Sequence, residues 1–235
     1  MSIENLKSLL ALKEQIRPFD LLGRSLAYNP YLPRLSLGQL MRPKSTSLAH
    51  TLVALDVCLE IEVFLESLQQ AQEGPALALL LDFTPLYAKE PSLEMLDLLG
   101  FVRRLCSKPL ILKDLILERY QILEALVYGV DALVLDPTLL QKDLKDIATY
   151  TTHLGLLPIV QVASPADLKN AILARTKAIY IVQDFTELLK LVPQGLVILK
   201  DLSTPHHPHQ LLRGRCLGFA RLVFILLCRN LAQFL

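Results

Sequence analysis

Short apolar runs alternate along this chain with longer stretches whose apolar residues recur at helical spacing. Such alternation is the sequence mark of successive strand–helix units around a parallel sheet. The runs predict eight strands: Leu37–Met41, Ala76–Phe83, Leu110–Leu112, Ala132–Leu135, Leu157–Val162, Ala178–Val182, Leu196–Leu199 and Leu222–Phe224. Several have no polar interruption, as expected of strands buried on both faces.

Helical patterns fill the intervals. Met1 to Arg17 reads as an amphipathic helix with Leu6, Leu9, Leu10 and Ile16 on one side. Leu48 to Gln70, Ser92 to Leu105, Arg119 to Tyr128, Leu140 to His153 and Pro165 to Ala174 follow. Their ends carry the usual stop and start chemistry. Gly129 and Gly155 supply left-handed stops, and Ser164 precedes a proline in the tolerant first turn. Eight strands with intervening helices and no long linker predict a single α/β domain over residues 1–235, a (β/α)8 TIM barrel. A helical extension occupies about residues 1–34. Sites in this architecture lie at the C-terminal ends of the strands, so residues closing each apolar run carry the functional information.

Composition narrows the class. Hydrophobic residues make up 52% of the 235 residues, mean hydropathy is +0.41, and the net charge of +1 comes without any basic block. Nucleic-acid partners are therefore not expected, since they select clustered positive charge. A membrane is not expected either. Met1 to Arg17 lacks the apolar core of a signal peptide, and the apolar stretch Leu222 to Cys228 is too short to cross a bilayer. Cys58, Cys106, Cys216 and Cys228 are widely spaced in apolar surroundings, which reads as buried reduced thiols in a cytoplasmic protein.

Three blocks then occur in order. They are Pro109–Leu110–Ile111–Leu112–Lys113–Asp114–Leu115–Ile116 with Tyr120–Gln121–Ile122; Gly129–Val130–Asp131–Ala132; and Leu154–Gly155–Leu156 with Val160–Gln161–Val162. Together they resemble the third, fourth and fifth strand blocks of indole-3-glycerol-phosphate synthase. A weaker block, Arg42–Pro43–Lys44–Ser45–Thr46–Ser47, resembles that family's Lys-Arg-x-Ser-Pro-Ser after its first strand. Good matches run from Lys108 to about Ile181.

The resemblance implies tryptophan biosynthesis, and a lyase that closes a pyrrole ring with loss of carbon dioxide and water from a phosphorylated substrate. It implies no cofactor and no metal. In the family two lysines, two glutamates and an asparagine do the work, and such chemistry needs proton donors and acceptors held in place. Lys113 matches the lysine acting as general acid. Arg42 stands at the other lysine; it keeps the charge but is a poor proton donor. Leu40, or Gln39 after a one-residue gap, falls on the first glutamate. Gln161 takes the position of the second and cannot ionise. Val182 and Gln183 fall on the paired asparagines. Ser45, Ser47 and Gln183 are the substrate-binding candidates, although lone serines in a loop are commonly helix caps.

The family holds phosphate on glycine-rich turns after strands seven and eight, where the backbone must approach the anion. Here Ile198–Leu199–Lys200–Asp201–Leu202 contains no glycine, and Phe224–Ile225–Leu226 stands where the family has Gly-Glu-Ser. Leu86 to Pro91, after the second strand, lacks the family's Gly-Gly. His206, His207 and His209 with Pro205 and Pro208 have ligand chemistry for zinc or copper, but read as a solvated loop.

Three expectations follow. The first is a diverged homologue with its ring-closure activity lost or strongly altered. The second is a working synthase with compensating residues. The third is a non-catalytic scaffold or partner-binding barrel.

Overall fold

The computed structural model describes residues 2–41, 50–88 and 95–201, with the backbone of 220–227. Eight strands close a barrel in sequence order: β1 His50–Asp56, β2 Ala78–Asp82, β3 Leu110–Lys113, β4 Ala132–Leu135, β5 Leu157–Val162, β6 Ala178–Ile181, β7 Val197–Asp201 and β8 Ala220–Leu227. Strands β1 to β7 are mutually parallel and alternate with helices, the arrangement of a (β/α)8 TIM barrel. Strand β8 runs antiparallel to both β7 and β1. The chain therefore enters β8 at the end of the barrel where it leaves β7, whereas a parallel strand would require a crossover to the other end.

The barrel helices are α4 Ile61–Glu73, α5 Asp97–Leu105, α6 Arg119–Val127, α7 Pro137–Leu140, α8 Leu144–His153, α9 Pro165–Leu173 and α10 Phe185–Leu191. Ser164 caps α9 as its sequence promised, accepting a hydrogen bond from the Asp167 amide at 3.2 Å. Ahead of the barrel lie α1 Ile3–Ile16, α2 Phe19–Ser25 and the single turn α3 Leu37–Leu40.

The first strand is not where the hydrophobic pattern put it. Leu37–Met41 forms α3 instead, because Ser36 and Gln39 make a reciprocal capping box: the Ser36 hydroxyl accepts from the Gln39 amide, and the Gln39 side chain accepts from the Ser36 amide at 2.7 Å. The strand is His50–Asp56, at the start of the predicted Leu48–Gln70 helix. Leu52, Val53 and Leu55 are all buried, so this run has apolar neighbours on both faces, which a surface helix lacks.

Side-chain alternation divides the core. Ala78, Leu80, Ile111, Ala132, Val134, Ile159, Ala178, Val197 and Leu199 face into the barrel. Leu79, Leu81, Leu110, Leu112, Leu133, Val160, Ile179 and Ile198 face the helices. Leu35 and Leu40 join the inner cluster beside Leu37, Leu77 and Leu157, so α3 plugs the N-terminal end of the barrel.

Asp131 anchors that extension. It is fully buried before β4 and accepts from the Arg34 amide, Arg34 Nη2 (3.1 Å), Arg103 Nη1 (3.1 Å) and the Leu110 amide (2.6 Å). Arg34 also reaches the carbonyls of Cys106, Ser107 and Lys108, binding the segment before α3 to the α5–β3 turn.

Candidate active site

The inward alternation ends at the C-terminal mouth with a polar residue on nearly every strand. By register and parity these are Asp56 on β1, Asp82 on β2, Lys113 on β3, Gln161 on β5, Tyr180 on β6 and Asp201 on β7. Such residues sit on rigid strand ends above an apolar floor, so their positions are set by the sheet rather than by loops.

Lys113 lies where the strand-end rule expects it. Its Nζ is 2.8 Å from Asp82 Oδ2, and both side chains retain about a quarter of their exposure, 21% and 26%. The pairing follows directly from register, since Asp82 and Lys113 are Cα partners on adjacent parallel strands. The other Asp82 oxygen accepts from the Thr84 amide at 3.0 Å and the Thr84 hydroxyl at 2.6 Å. Those bonds orient the carboxylate and leave Oδ2 for the lysine. Across the mouth, the Tyr180 hydroxyl donates to Asp201 Oδ2 at 2.6 Å.

Asp114, next to Lys113 in the chain, points the other way. It is buried beneath α1, close to Tyr87 and Lys13, and accepts from the Leu115 amide at 2.7 Å. Burial raises its carboxyl to about 6, against the hydrogen bond from Tyr87 that lowers it. The Tyr87 hydroxyl is in turn held protonated by burial and by the adjacent Asp114. Lys200 also points away from the mouth, its Nζ 4.4 Å from the centre of the Phe185 ring, and burial lowers its ammonium.

Gln161 is half-buried beside Tyr180 in register, and its side chain makes no hydrogen bond to a described residue. Val182 packs against the inner apolar cluster, while Gln183 is exposed in the turn after β6. The structure thus brings Lys113 and Gln161 to one mouth and leaves Gln183 on its outside. Gln39 and Leu40 do not belong there at all, because α3 closes the opposite end of the barrel. Arg42, Ser45, Ser47, the His206–His207–His209 cluster, Cys216 and Cys228 lie outside the described residues. Cys106 is buried as expected, but Cys58 is exposed after β1.

The antiparallel β8 also revises the phosphate argument. Phe224, Ile225 and Leu226 pair with Lys200, Leu199 and Ile198, and Leu227 reaches Val197 at the N-terminal end of β7. The Phe224–Leu226 run therefore descends the barrel wall instead of ending at the mouth. The residue that does face the mouth from β7 is Asp201, an anion where a phosphate-binding turn offers amide donors.

Sequence reasoning missed Asp82, Tyr180 and Asp201. The signal was present for the two aspartates, since each closes an apolar run at a strand's C-terminal end. Tyr180 reads as one more apolar strand residue until its inward direction is known. Among the described residues no three His, Cys, Asp or Glu side chains converge as a metal site, and no helix is long and apolar enough to cross a membrane.

Comparison with known proteins adds to this geometry. A family profile described as indole-3-glycerol phosphate synthase matches residues 94–183. A protein of Campylobacter concisus named indole-3-glycerol phosphate synthase is 35% identical over 212 residues, covering 78% of this chain and 76% of its own. One of the same name from Campylobacter curvus is 32% identical over 223 residues, covering 87% and 84%. A third, from Sulfurimonas denitrificans, is 40% identical over 124 residues, covering 48% and 47%.

Proposed function

Because this chain belongs to the indole-3-glycerol phosphate synthase family of tryptophan biosynthesis, we propose that it is a diverged member whose decarboxylating ring closure is lost or strongly altered. The observation that carries this reading is the state of Lys113. Its ammonium is ion-paired with Asp82 at 2.8 Å, while Gln161, at the family's carboxylate position, cannot ionise. General acid–base catalysis needs a donor and an acceptor matched across the reacting atoms. Here the acid is engaged by a neighbour on the same side of the mouth.

The Asp82–Lys113 pair also favours a second reading. Two inward groups on adjacent strands, in hydrogen-bond contact, set an ammonium beside a carboxylate at the mouth, the two kinds of group that the family's chemistry uses. In that case the chain is a working synthase with compensating residues, acting on a phosphorylated small molecule. Either reading puts Lys113 at the chemistry, with Gln161 as the substituted position beside it; Arg42, Ser45 and Ser47 come before β1 in the chain, so the loop that follows β1 does not contain them. We propose a single cytoplasmic barrel domain for both.

The test is formation of indole-3-glycerol phosphate from the carboxyphenylamino-deoxyribulose phosphate substrate by the native chain, Lys113→Ala, Asp82→Asn and Gln161→Glu. Absence of turnover in the native chain, with no ligand-dependent rise in melting temperature, supports the diverged member. Native turnover abolished by both Lys113→Ala and Asp82→Asn refutes it in favour of the compensated enzyme.

A further inference from the structure

A cleft of about 430 Å³ opens at the other end of the barrel, between α8 and the α9–β6 turn. Leu37, Leu156, Pro158 and Ala174 make its apolar surfaces. Its basic residues are Lys145, His153, Arg175 and Lys177, and no carboxylate is among its described lining residues. None of these four side chains has an ion-pair or hydrogen-bond partner among the described residues. Lysines and arginines on a protein surface normally mix with acids; three fixed cations and a histidine around one apolar hollow are a biased set.

The backbone supplies an independent observation. Helices α6, α8 and α9 end in the same motif, with two hydrogen bonds folding the chain back over the last turn. For α6 these are Gly129 N to Leu126 O and Val130 N to Ala125 O; for α8, Gly155 N to Thr152 O and Leu156 N to Thr151 O. For α9 they are Arg175 N to Ile172 O and Thr176 N to Ala171 O. The turn requires a left-handed residue, and α6 and α8 use glycine there, at φ +88° and +81°. The third uses Arg175 at φ +59°, a conformation in which a side chain is disfavoured. Arginine thus occupies the position that glycine takes in the two equivalent turns, and its side chain lines the cleft.

Helix C-termini oppose anions through their dipoles, so the cations must outweigh α8 and α9. They do so in number: each terminus carries about half a negative charge, and its last carbonyls are occupied by the turn bonds above. The hydroxyls of Thr149 and Thr152 donate to helix carbonyls, which leaves the basic side chains as the free donors.

We infer that this cleft is a binding site for a small organic anion, an apolar body carrying a phosphate or carboxylate head, held by Arg175, Lys177, Lys145 and His153. Its volume falls in the range of small-molecule pockets. The site is separate from the mouth, since it lies at the N-terminal ends of β5 and β6 while Lys113 lies at the C-terminal end of β3.

Calorimetric titration of the full chain with phenyl phosphate, benzoate and benzyl alcohol tests the inference. Saturable single-site binding of phenyl phosphate is expected, with benzyl alcohol not binding, and benzoate reports whether a single charge suffices. Arg175→Gly should weaken phenyl phosphate binding roughly tenfold by removing a bidentate donor. Its melting temperature should be unchanged or raised, because glycine relieves the left-handed turn. Lys177→Gln should weaken binding several-fold, and Lys113→Ala should leave it unchanged. The inference is overturned by absence of saturable binding, by equal binding of benzyl alcohol, or by binding that survives Arg175→Gly and disappears in Lys113→Ala.

Discussion

Asp131→Ala should be among the most damaging single substitutions in this barrel, and its cost can be worked from the structure. The carboxylate has no exposed surface, and two guanidiniums converge on it, Arg103 at 6% exposure and Arg34 at 27%. It also receives the Leu110 amide at 2.6 Å. Removing the anion leaves a nearly buried arginine without its counter-charge, which costs about 3–5 kcal/mol by the behaviour of broken buried pairs. The stranded Leu110 amide adds about 1–3 kcal/mol unless water enters. Even the low end of that sum, about 4 kcal/mol, is a large share of a typical domain's 5–15 kcal/mol. It should lower the melting temperature by roughly 10 °C at this chain length. Urea unfolding followed by far-ultraviolet circular dichroism gives the free energy, and limited proteolysis reports the local effect. Since Asp131 orients both Arg34 and Arg103, which tie residues before α3 to the barrel, cleavage near residues 26–36 should accelerate more than global unfolding alone predicts. A loss below about 1 kcal/mol would refute the reasoning, because it would mean that the arginines are well solvated without Asp131.

Other outcomes follow from the same geometry. Gly129→Ala should destabilise by about 1–3 kcal/mol, since a Cβ there would lie 2.7 Å from Arg103 Cγ at φ +88°; thermal melting checks this. Leu40→Ala should cost about 2–5 kcal/mol in denaturant unfolding, because the fully buried Leu40 fills the N-terminal end of the barrel. Asp114 predicts a pH dependence whose sign is set by burial. Its folded pKa, about 6, lies above the ordinary carboxylate value of 3.8, so the folded state holds the proton more tightly. Its contribution is therefore greatest below about pH 4 and is lost as pH rises through about 6, by roughly 3 kcal/mol in all. Asp114→Asn should flatten that fall, which a comparison of urea midpoints at pH 4.5 and 7.5 measures. Asp82→Asn should change stability by less than about 1 kcal/mol, because the Lys113 pair is part-exposed; an effect on activity without one on stability would separate its two roles.

Much of this fold can be read locally. Six of the strands, β2 to β7, coincide with apolar runs that are legible without any partner, and Lys113 closes one of them at the end where barrel sites lie. Gly129, Gly155 and Ser164 likewise act through bonds to residues within a turn of themselves. What spacing alone left undecided depends on distant neighbours. Leu37–Met41 and His50–Asp56 are both short and apolar, and periodicity over so few residues does not separate a helical turn from a buried strand. The Ser36–Gln39 cap and the two-sided burial of β1 decided between them. The direction of β8 is a matter of pairing rather than composition, and it moved Phe224–Leu226 away from the mouth.

The chemistry divides in the same way. The sequence by itself determined that a lysine, Lys113, closes the third apolar run and that Gln161 cannot ionise. Only the tertiary structure decided that Asp82 rather than Asp114 meets the lysine, because inward and outward directions alternate along β3 and the closed sheet sets which carboxylate comes alongside. It also decided that Arg175 joins Lys145 and Lys177 at one hollow, since residues 30 positions apart on α8 and the α9–β6 turn become neighbours only when β5 and β6 pair. Identity is carried by single residues, but charge pairing and pocket formation are properties of register and closure, which no local window contains.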